Sequence, residues 1–209
     1  MLEFPSKMPV AVEEVGLRHT RAAVAALAAA FADYDMLRAL CPDAGRRSWV
    51  VPAFARMLYR ISARAGGVFA TEGFAAVACG LPPGYEWPSE WDYVRAGALS
   101  VVWRMGPRPG WRFLKLGPAF DATRAKHMGD RPHWYLHLLG VRPEAQGKGL
   151  SRAVLRPMFD AADRARAPVY LETATETNVA IYKRMGFEVL GFTELPGGLP
   201  NWEMAREPR

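Results

Sequence analysis

The sequence is poor in cysteine and in long apolar runs, and both shortages limit what the chain can be. Among 209 residues there are two cysteines, Cys41 and Cys79, and their spacing is not that of a metal site. Two thiols cannot form a disulfide framework, so we expect a reducing, cytoplasmic location. The longest nearly continuous apolar run, residues 22–32, has about half of the roughly 20 residues that a membrane-spanning helix needs. Because Glu3 and Lys7 interrupt the region where an export signal would be apolar, we expect no such signal.

The charge balance is positive, with 27 Lys and Arg residues against 21 Asp and Glu residues, a net charge of +6. The basic residues are scattered along the chain, with no run of five or more. No helix-turn-helix, zinc or base-stacking motif accompanies them. A surplus of this size describes the surface and its partners rather than the fold. We therefore expect neither a nucleic-acid nor a membrane partner.

The length and the apolar patterns indicate a single α/β domain, 1–209, in three parts. In the N-terminal part, 1–81, helical spacing predicts helices over 20–40 and 48–65, followed by a hairpin of strands 68–70 and 74–80. The middle part, 82–132, holds seven prolines and predicts a helical insertion, with helices over 90–103 and 108–127. Four of the seven tryptophans lie in this insertion, where we expect them to line a pocket: Trp87, Trp91, Trp103 and Trp111.

The third part, 133–206, has a regular pattern of strands and helices. The strand over 133–141 has apolar residues at both parities, which predicts burial on both faces. It is followed by a loop and helix over 146–167 and a strand over 169–173, a unit that should make the two strands parallel neighbours. The remaining elements predicted are a helix over 177–185 and strands over 187–192 and 201–205.

A glycine-rich turn, residues 146–151, lies between the buried strand and the helix, and it predicts an anion site. Unpaired amide donors and the helix dipole both favour a phosphate at such a position, and glycine lets the phosphate approach the backbone. A P-loop would need glycine where Arg142 stands, and a dinucleotide fingerprint would need it where Arg152 stands. Both of these better-known phosphate loops are therefore excluded.

The turn instead resembles the acyl-CoA-binding motif of the GCN5-related N-acetyltransferase (GNAT) superfamily, Gln-x-x-Gly-x-small, from Gln146 to Ser151. Ser151 is a mild departure from the usual Gly or Ala. A second block, Asn178, Tyr182 and Gly186-Phe187, is similar to the C-terminal signature of the family. The resemblance covers 133–206, and the segments 170–173 and 201–204 resemble the branch that includes puromycin N-acetyltransferase. It implies a mixed central sheet with two splayed parallel strands, flanked by helices.

The resemblance also implies acetyl-CoA as co-substrate and no metal. In the family, backbone groups of the strand ahead of the loop bind the pantetheine arm, and the amides of the loop bind the pyrophosphate. Lys148 or Arg142 would add Coulomb attraction. The coenzyme-binding residues implied are Leu139, Gly140, Val141, Gln146, Gly147, Lys148, Gly149, Leu150, Ser151 and Asn178.

Two residues are the candidates for catalysis. Tyr182 has a phenol that can protonate the departing thiolate of the coenzyme. Glu172 lies in an apolar strand, where a raised pKa would suit the base that deprotonates the amine; His137 and water remain alternatives. By strand parity, Tyr135 and His137 share one face, and so do Tyr170 and Glu172.

The sequence therefore predicts an N-acetyltransferase that moves an acetyl group to a primary amine of a small molecule with aromatic or apolar character. Because Cys79 is expected in the core, we predict direct attack in a ternary complex rather than an acetyl-cysteine intermediate. Two alternatives stay open. One is acetylation of a protein N-terminus or lysine, and the other is a non-catalytic acyl-CoA sensor.

Overall fold

One seven-stranded mixed sheet organises the protein, whose computed structural model describes residues 10–209. Glu3 and Lys7, which the expectation about export used, lie outside the described residues. The strands are β1 (Val12–Glu14), β2 (Val68–Thr71), β3 (Ala76–Leu81), β4 (Trp134–Val141), β5 (Val169–Thr173), β6 (Glu188–Leu195) and β7 (Leu199–Arg206). Their order in the sheet is β1-β2-β3-β4-β5-β7-β6, with β4 and β5 parallel and the other neighbours antiparallel. The prediction of a mixed α/β sheet is confirmed.

Eight α-helices in the described part of the chain cover the sheet. They are α1 (Thr20–Ala30), α2 (Asp35–Leu40), α3 (Ala44–Arg64), α4 (Glu90–Ala96), α5 (Ala98–Met105), α6 (Pro107–Met128), α7 (Leu150–Ala165) and α8 (Glu176–Lys183). Helices α1 and α3 share one hydrophobic core with the sheet, and α7 shares a second. Among the helices of residues 10–209, none combines the length and the hydropathy that a bilayer crossing requires.

The helix predicted over 20–40 is wrong in one respect, because it is two helices separated by a turn at 31–34. Tyr34 has an extended backbone ahead of α2, and the turn directs Phe31 and Tyr34 toward the cleft described below. The next helix, α3, begins four residues earlier than predicted. Asp43 explains the early start, because its carboxylate accepts a hydrogen bond from the Arg46 amide at 2.5 Å and caps the helix.

The insertion is helical, but its tryptophans do not form a pocket wall together. The helix predicted over 90–103 is broken at Gly97, whose φ of 124° favours glycine. Trp91, Trp103 and Trp111 are exposed on the outer surface, because the helices that carry them turn other side chains inward, among them Ala96, Val101 and Leu116. Trp87 alone of the four packs inward, with its ring centroid 5.3 Å from that of Tyr135. The expectation of a tryptophan-lined pocket is therefore wrong for three of the four residues.

Strand β4 is packed on both faces, as predicted, and none of its residues is exposed. A β-bulge interrupts its alternation. Cys79 of β3 is opposite Leu138 and Gly80 is opposite Leu136, so His137 is an extra residue on β4. As a result Leu136 packs in the α7 core and Leu138 in the α1–α3 core. The half-buried residues beyond the bulge face the cleft.

Strands β4 and β5 are parallel neighbours, as the strand–helix–strand pattern predicts, and they separate early. Their pairing consists of Trp134 with Val169 and Tyr135 with Tyr170. Beyond these pairs the two strands diverge, and the space between them is the cleft. This splayed arrangement is the one that the family resemblance implies.

Gly67 is a position where the fold admits no side chain, and we expect Gly67→Ala to destabilise it. A Cβ there would lie 2.1 Å from the carbonyl oxygen of Gly80, and the two residues already share a backbone hydrogen bond of 2.8 Å. We expect the free energy of unfolding in urea to fall by about 2 kcal/mol or more. Gly45→Ala in the first turn of α3 is the control, since the nearest atom to its Cβ, Asp43 Oδ1, lies at an ordinary contact distance of 3.5 Å and helix propensity predicts a gain of up to about 1 kcal/mol. Equal effects of the two variants would contradict the argument.

Candidate active site

A cleft of about 410 Å³ opens where β4 and β5 separate. Its walls are the turn between α1 and α2, the outer half of β4, the glycine-rich loop, the end of β5 and one face of α8. The two sequence blocks that carry the family resemblance therefore meet at one site. Among the described residues that line this cleft, Glu172 is the one acidic side chain.

The glycine-rich loop fits a phosphate-bearing ligand. Gly147 and Gly149 have φ values of 75° and 76°, which glycine adopts without strain, and a Cβ at either position would meet no atom within 4 Å. Gly149 is the N-cap of α7 and supplies no capping side chain. The amides of the first turn of this 16-residue helix are therefore available to an anion, and the helix dipole favours a negative charge there. These features fit the pyrophosphate of coenzyme A.

Most of the predicted coenzyme-binding residues line the cleft. They are Leu139, Gly140, Val141, Gln146, Gly147, Gly149, Leu150, Ser151 and Asn178. Lys148 differs, because its ammonium donates to the Glu144 carbonyl at 3.0 Å on the exposed surface. The Arg142 guanidinium donates to the Phe74 carbonyl at 3.1 Å and also lies outside the lining. Neither cation therefore lines the cleft, where the groups that face an anion are backbone amides and the N-terminus of α7.

Strand β4 presents backbone groups to the cleft. The Arg142 amide donates to the Ala75 carbonyl at 2.9 Å, on the β3 side. Because backbone groups alternate in direction along a strand, those of Val141 and Leu139 point away from β3, toward the cleft. The Gln146 side-chain amide donates to the Val141 carbonyl at 3.3 Å. Leu139 thus offers an unpaired strand edge of the kind that an extended pantetheine arm can join.

Helix α8 places Asn178 and Tyr182 on the face that lines the cleft, as their i, i+4 spacing predicts. Thr175 caps the helix by accepting from the Asn178 amide at 3.2 Å. The Asn178 side chain donates to the Thr173 hydroxyl at 3.0 Å, which fixes it at the end of β5. The ring of Tyr182 packs on Phe187 with centroids 5.4 Å apart. Burial raises the pKa of Tyr182, so its hydroxyl keeps its proton and can donate it.

Tyr34 is a second phenol in the cleft that sequence reasoning missed. Its hydroxyl accepts a hydrogen bond from the Ala174 amide at 3.3 Å, at the end of β5. It is near enough to Tyr182 to raise the pKa of that residue by Coulomb repulsion, after the larger effect of burial. Sequence reasoning missed the role of Tyr34 because the apolar spacing of 20–40 predicts one continuous helix through this residue, without the turn that directs it to the cleft.

Glu172 is held at the cleft by three hydroxyl groups. Its Oε1 accepts from Thr123 at 2.9 Å and from Tyr170 at 3.0 Å, and its Oε2 accepts from Tyr135. Burial raises the pKa of Glu172 to about 7, although the three hydrogen bonds favour the charged form and lower it. A carboxyl group with this pKa gains and loses a proton near neutral pH, which suits a general base.

The parity prediction for Tyr135, His137, Tyr170 and Glu172 agrees with the structure. The rings of Tyr135 and His137 make an edge contact with centroids 4.8 Å apart, and the Tyr170 hydroxyl bonds its strand neighbour Glu172. Thr123 was missed because the insertion has no counterpart in the family resemblance. Thr123 and Glu172 are far apart in the sequence, and only the folded structure brings them together.

His137 is placed at the cleft, but its chemistry is that of a neutral group. Its Nδ1 lies 3.1 Å from the Ser62 hydroxyl, and burial lowers the pKa of His137 to about 3. Cys79 is fully buried in β3, as predicted, and burial raises the pKa of its thiol. Within residues 10–209 no group of three or more His, Cys, Asp or Glu side chains is placed to hold a metal ion.

Comparison with known proteins connects this geometry to a family. The family model described as Acetyltransferase (GNAT) family matches residues 84–187. An uncharacterized N-acetyltransferase of Schizosaccharomyces pombe is 27% identical over 184 residues, which cover 85% of this chain and 74% of that protein.

Two solved structures share the fold over nearly their whole length. One is described as histone acetyltransferase HPA2 and related acetyltransferase, from Corynebacterium glutamicum, with a TM-score of 0.69 and 21% identity, covering 97% of this chain and 98% of that one. The other is arylalkylamine N-acetyltransferase 2 from Aedes aegypti, with a TM-score of 0.66 and 12% identity, covering 96% and 99%. At these identities the likeness shows the fold, whereas the family model and the yeast relative add the sequence evidence. The chain belongs to the GNAT superfamily, and it is an acyl-CoA-dependent acetyltransferase.

Proposed function

We propose that the protein acetylates the primary amine of a small molecule by direct transfer from acetyl-CoA in a ternary complex. The observation that carries this proposal is the shared cleft. A carboxyl group of pKa about 7, a protonated phenol and a glycine-rich anion loop all line it, on Glu172, Tyr182 and residues 146–151. Acetyl-CoA, when bound, supplies a thioester whose acetyl carbon accepts the amine nitrogen and whose sulfur leaves as a thiolate.

The coenzyme is held mainly by the backbone. The amides at the start of α7 bind its pyrophosphate, and the cleft-facing groups of Leu139 and Val141 pair with its extended arm. Asn178, fixed by Thr173, contacts the same arm. Because these contacts use main-chain donors, the affinity for the coenzyme depends little on the side chain of Lys148.

Two side chains move the protons. Glu172, ionised at Oε2 or Oε1, takes the proton that an alkylammonium must lose before its nitrogen can attack. Tyr182 gives its hydroxyl proton to the departing sulfur. His137 with a pKa of about 3 is a poor base at neutral pH, so Glu172 is the base that the geometry favours over His137 or water.

The acceptor is a small amine with an aromatic or apolar body. Phe31 and Tyr34 form the wall of the cleft beside the single carboxylate of Glu172, which suits one ammonium group attached to an apolar group. Helix α6 hydrogen-bonds Glu172 through the buried Thr123 without lining the cleft, so the insertion fixes the position of the carboxylate. The Aedes aegypti neighbour, named for arylalkylamines, supports the same substrate class.

The test is release of free thiol from acetyl-CoA with a panel of amines. We expect arylalkylamines such as phenethylamine to be acetylated with kcat/KM at least about tenfold above that for peptide N-termini or lysine peptides. Cys79→Ala should retain turnover, because direct transfer needs no thiol. Acetylation of peptides alone would overturn the small-molecule assignment. Binding of acetyl-CoA without thiol release for any amine would identify a sensor instead.

A further inference from the structure

The outer surface of helices α3 to α6 exposes large apolar side chains, four of them tryptophans. We call this surface the tryptophan face. Its apolar members are Trp49 (66% exposed), Trp91 (68%), Leu99 (65%), Trp103 (81%), Trp111 (62%) and Leu114 (50%). Single exposed apolar residues are common on soluble proteins, whereas several large ones on neighbouring helices indicate an interaction surface.

Helices α5 and α6, which carry four of these six residues, pack directly against each other. Val102 of α5 packs on Gly110 of α6, where an added Cβ would lie 3.0 Å from the valine side chain. On α5, Leu99 and Trp103 are four residues apart and share the face opposite the buried Val101. Helix α5 is thus apolar on two sides, one in the core and the other in solvent.

Basic side chains lie among these apolar groups. The Arg104 guanidinium is 6.0 Å from the centre of the Trp49 ring, which joins α5 to α3, and the Lys115 ammonium is 5.2 Å from the Trp111 ring. Arg108 and Arg112 are exposed on the same stretch of α6. The tryptophan face therefore combines flat aromatic rings with positive charge.

The charge surplus of the chain is concentrated in this layer. Residues 44–71 contain five arginines and no acidic residue, and residues 93–120 contain four arginines, one lysine and no acidic residue. The remaining residues have more acidic than basic side chains. Nine of these ten basic residues lie on α3, α5 and α6, whereas α4 carries Glu90 and Asp92 on either side of Trp91.

We propose that the tryptophan face docks reversibly on the surface of a bilayer that contains anionic lipid. Tryptophan prefers the headgroup level of a membrane, arginine and lysine are attracted to anionic headgroups, and helices with this composition lie in the plane of the interface. No residue of α3 to α6 lines the cleft, so docking leaves the coenzyme loop accessible. This proposal replaces the expectation that a membrane is not a partner.

The charge argues against a second copy of the chain as the occupant. In a symmetric dimer the same patch faces itself, so the arginines of one protomer would meet those of the other. Leu99 and Leu114 argue against nucleic acid, because a phosphate backbone offers aliphatic side chains no partner. Both of these occupants remain outcomes of the experiment below.

The experiment measures co-sedimentation of the full chain with vesicles of phosphatidylcholine and of phosphatidylcholine mixed equally with phosphatidylglycerol. We expect a partition coefficient at least about tenfold higher for the anionic vesicles, falling as salt is raised. Two double variants, Trp103→Ala with Trp111→Ala and Arg108→Glu with Arg112→Glu, should each lower this binding about tenfold or more. Both should keep the thiol-release activity of the unmodified protein, which shows that they fold.

The matched control is Arg156→Glu with Arg164→Glu on the exposed side of α7, which changes the net charge equally away from the tryptophan face. It should change vesicle binding less than about threefold. Equal binding to both vesicle types, or equal losses in the control and the test variants, would overturn the proposal. So would a dimer that the tryptophan variant abolishes, or binding to duplex DNA in the absence of vesicle binding.

Discussion

Replacing Tyr182 with phenylalanine is expected to lower kcat by about 10²-fold while leaving the affinity for acetyl-CoA nearly unchanged. The variant keeps the ring that packs on Phe187 and removes the hydroxyl that donates the proton. A residue that acts in the chemical step affects kcat, whereas a residue that binds the coenzyme affects its dissociation constant. Steady-state thiol release and calorimetric titration with acetyl-CoA measure the two quantities separately.

Tyr34→Phe is the matched control, because it removes the other phenol of the cleft. That hydroxyl accepts a hydrogen bond from the Ala174 amide, so its loss should cost less than about tenfold in kcat. A large loss in Tyr34→Phe together with an unaffected Tyr182→Phe would assign the proton to Tyr34. If the unmodified protein binds acetyl-CoA without turning it over, and both variants bind it with the same affinity, the protein is a non-catalytic acyl-CoA sensor instead.

Glu172→Gln is expected to lower kcat/KM by about 10²-fold or more and to change its pH dependence. In the unmodified protein the base acts when ionised, so kcat/KM should rise with pH and level off above the pKa of about 7. The variant has no carboxyl group to titrate, so this acidic limb should disappear. The measurement is kcat/KM for the best amine of the panel over a range of pH, with exposed Glu176→Gln as control. An acidic limb that persists in Glu172→Gln would assign the base to another group.

The same substitution makes a stability prediction of definite sign. Because burial raises the pKa of Glu172 above the value of an unfolded chain, the neutral form is favoured in the folded state. The stability that this provides is complete below the unfolded pKa and is lost as pH rises through about 7. Glu172→Gln should therefore gain stability relative to the unmodified protein as pH rises across this range, as measured by urea unfolding. This trend would also show that loss of activity is not loss of folding.

The parts of the site that sequence predicts are those with local spacing. The loop from Gln146 to Ser151 follows from its glycines, and the shared face of Asn178 and Tyr182 follows from one helical turn. Strand parity placed Tyr170 beside Glu172. In each case the residues that act together are only a few positions apart in the sequence, so a sequence pattern can predict their arrangement.

The parts that sequence did not predict depend on contacts between distant segments. Tyr34 reaches the cleft because α1 ends at Ala30 rather than continuing, and Thr123 reaches Glu172 from an insertion with no family pattern. The outward tryptophans were misjudged for the same reason. Aromatic content shows that a segment can pack or bind, but the side that it presents is decided by the helices that cover it.

The extra residue at His137 has a consequence for how this strand can vary. Leu136 and Leu138 would share one side of an unbroken strand, but here they enter opposite cores. Because His137 has no partner on β3, deleting it would keep the pairs on either side, Cys79 with Leu138 and Gly80 with Leu136, and the later residues of β4 would stay on their present faces. Deleting a paired residue of β4 would instead shift the register by one and turn the cleft-facing groups inward. The bulge is therefore the one place in this strand where the loss of a residue should leave the coenzyme edge intact.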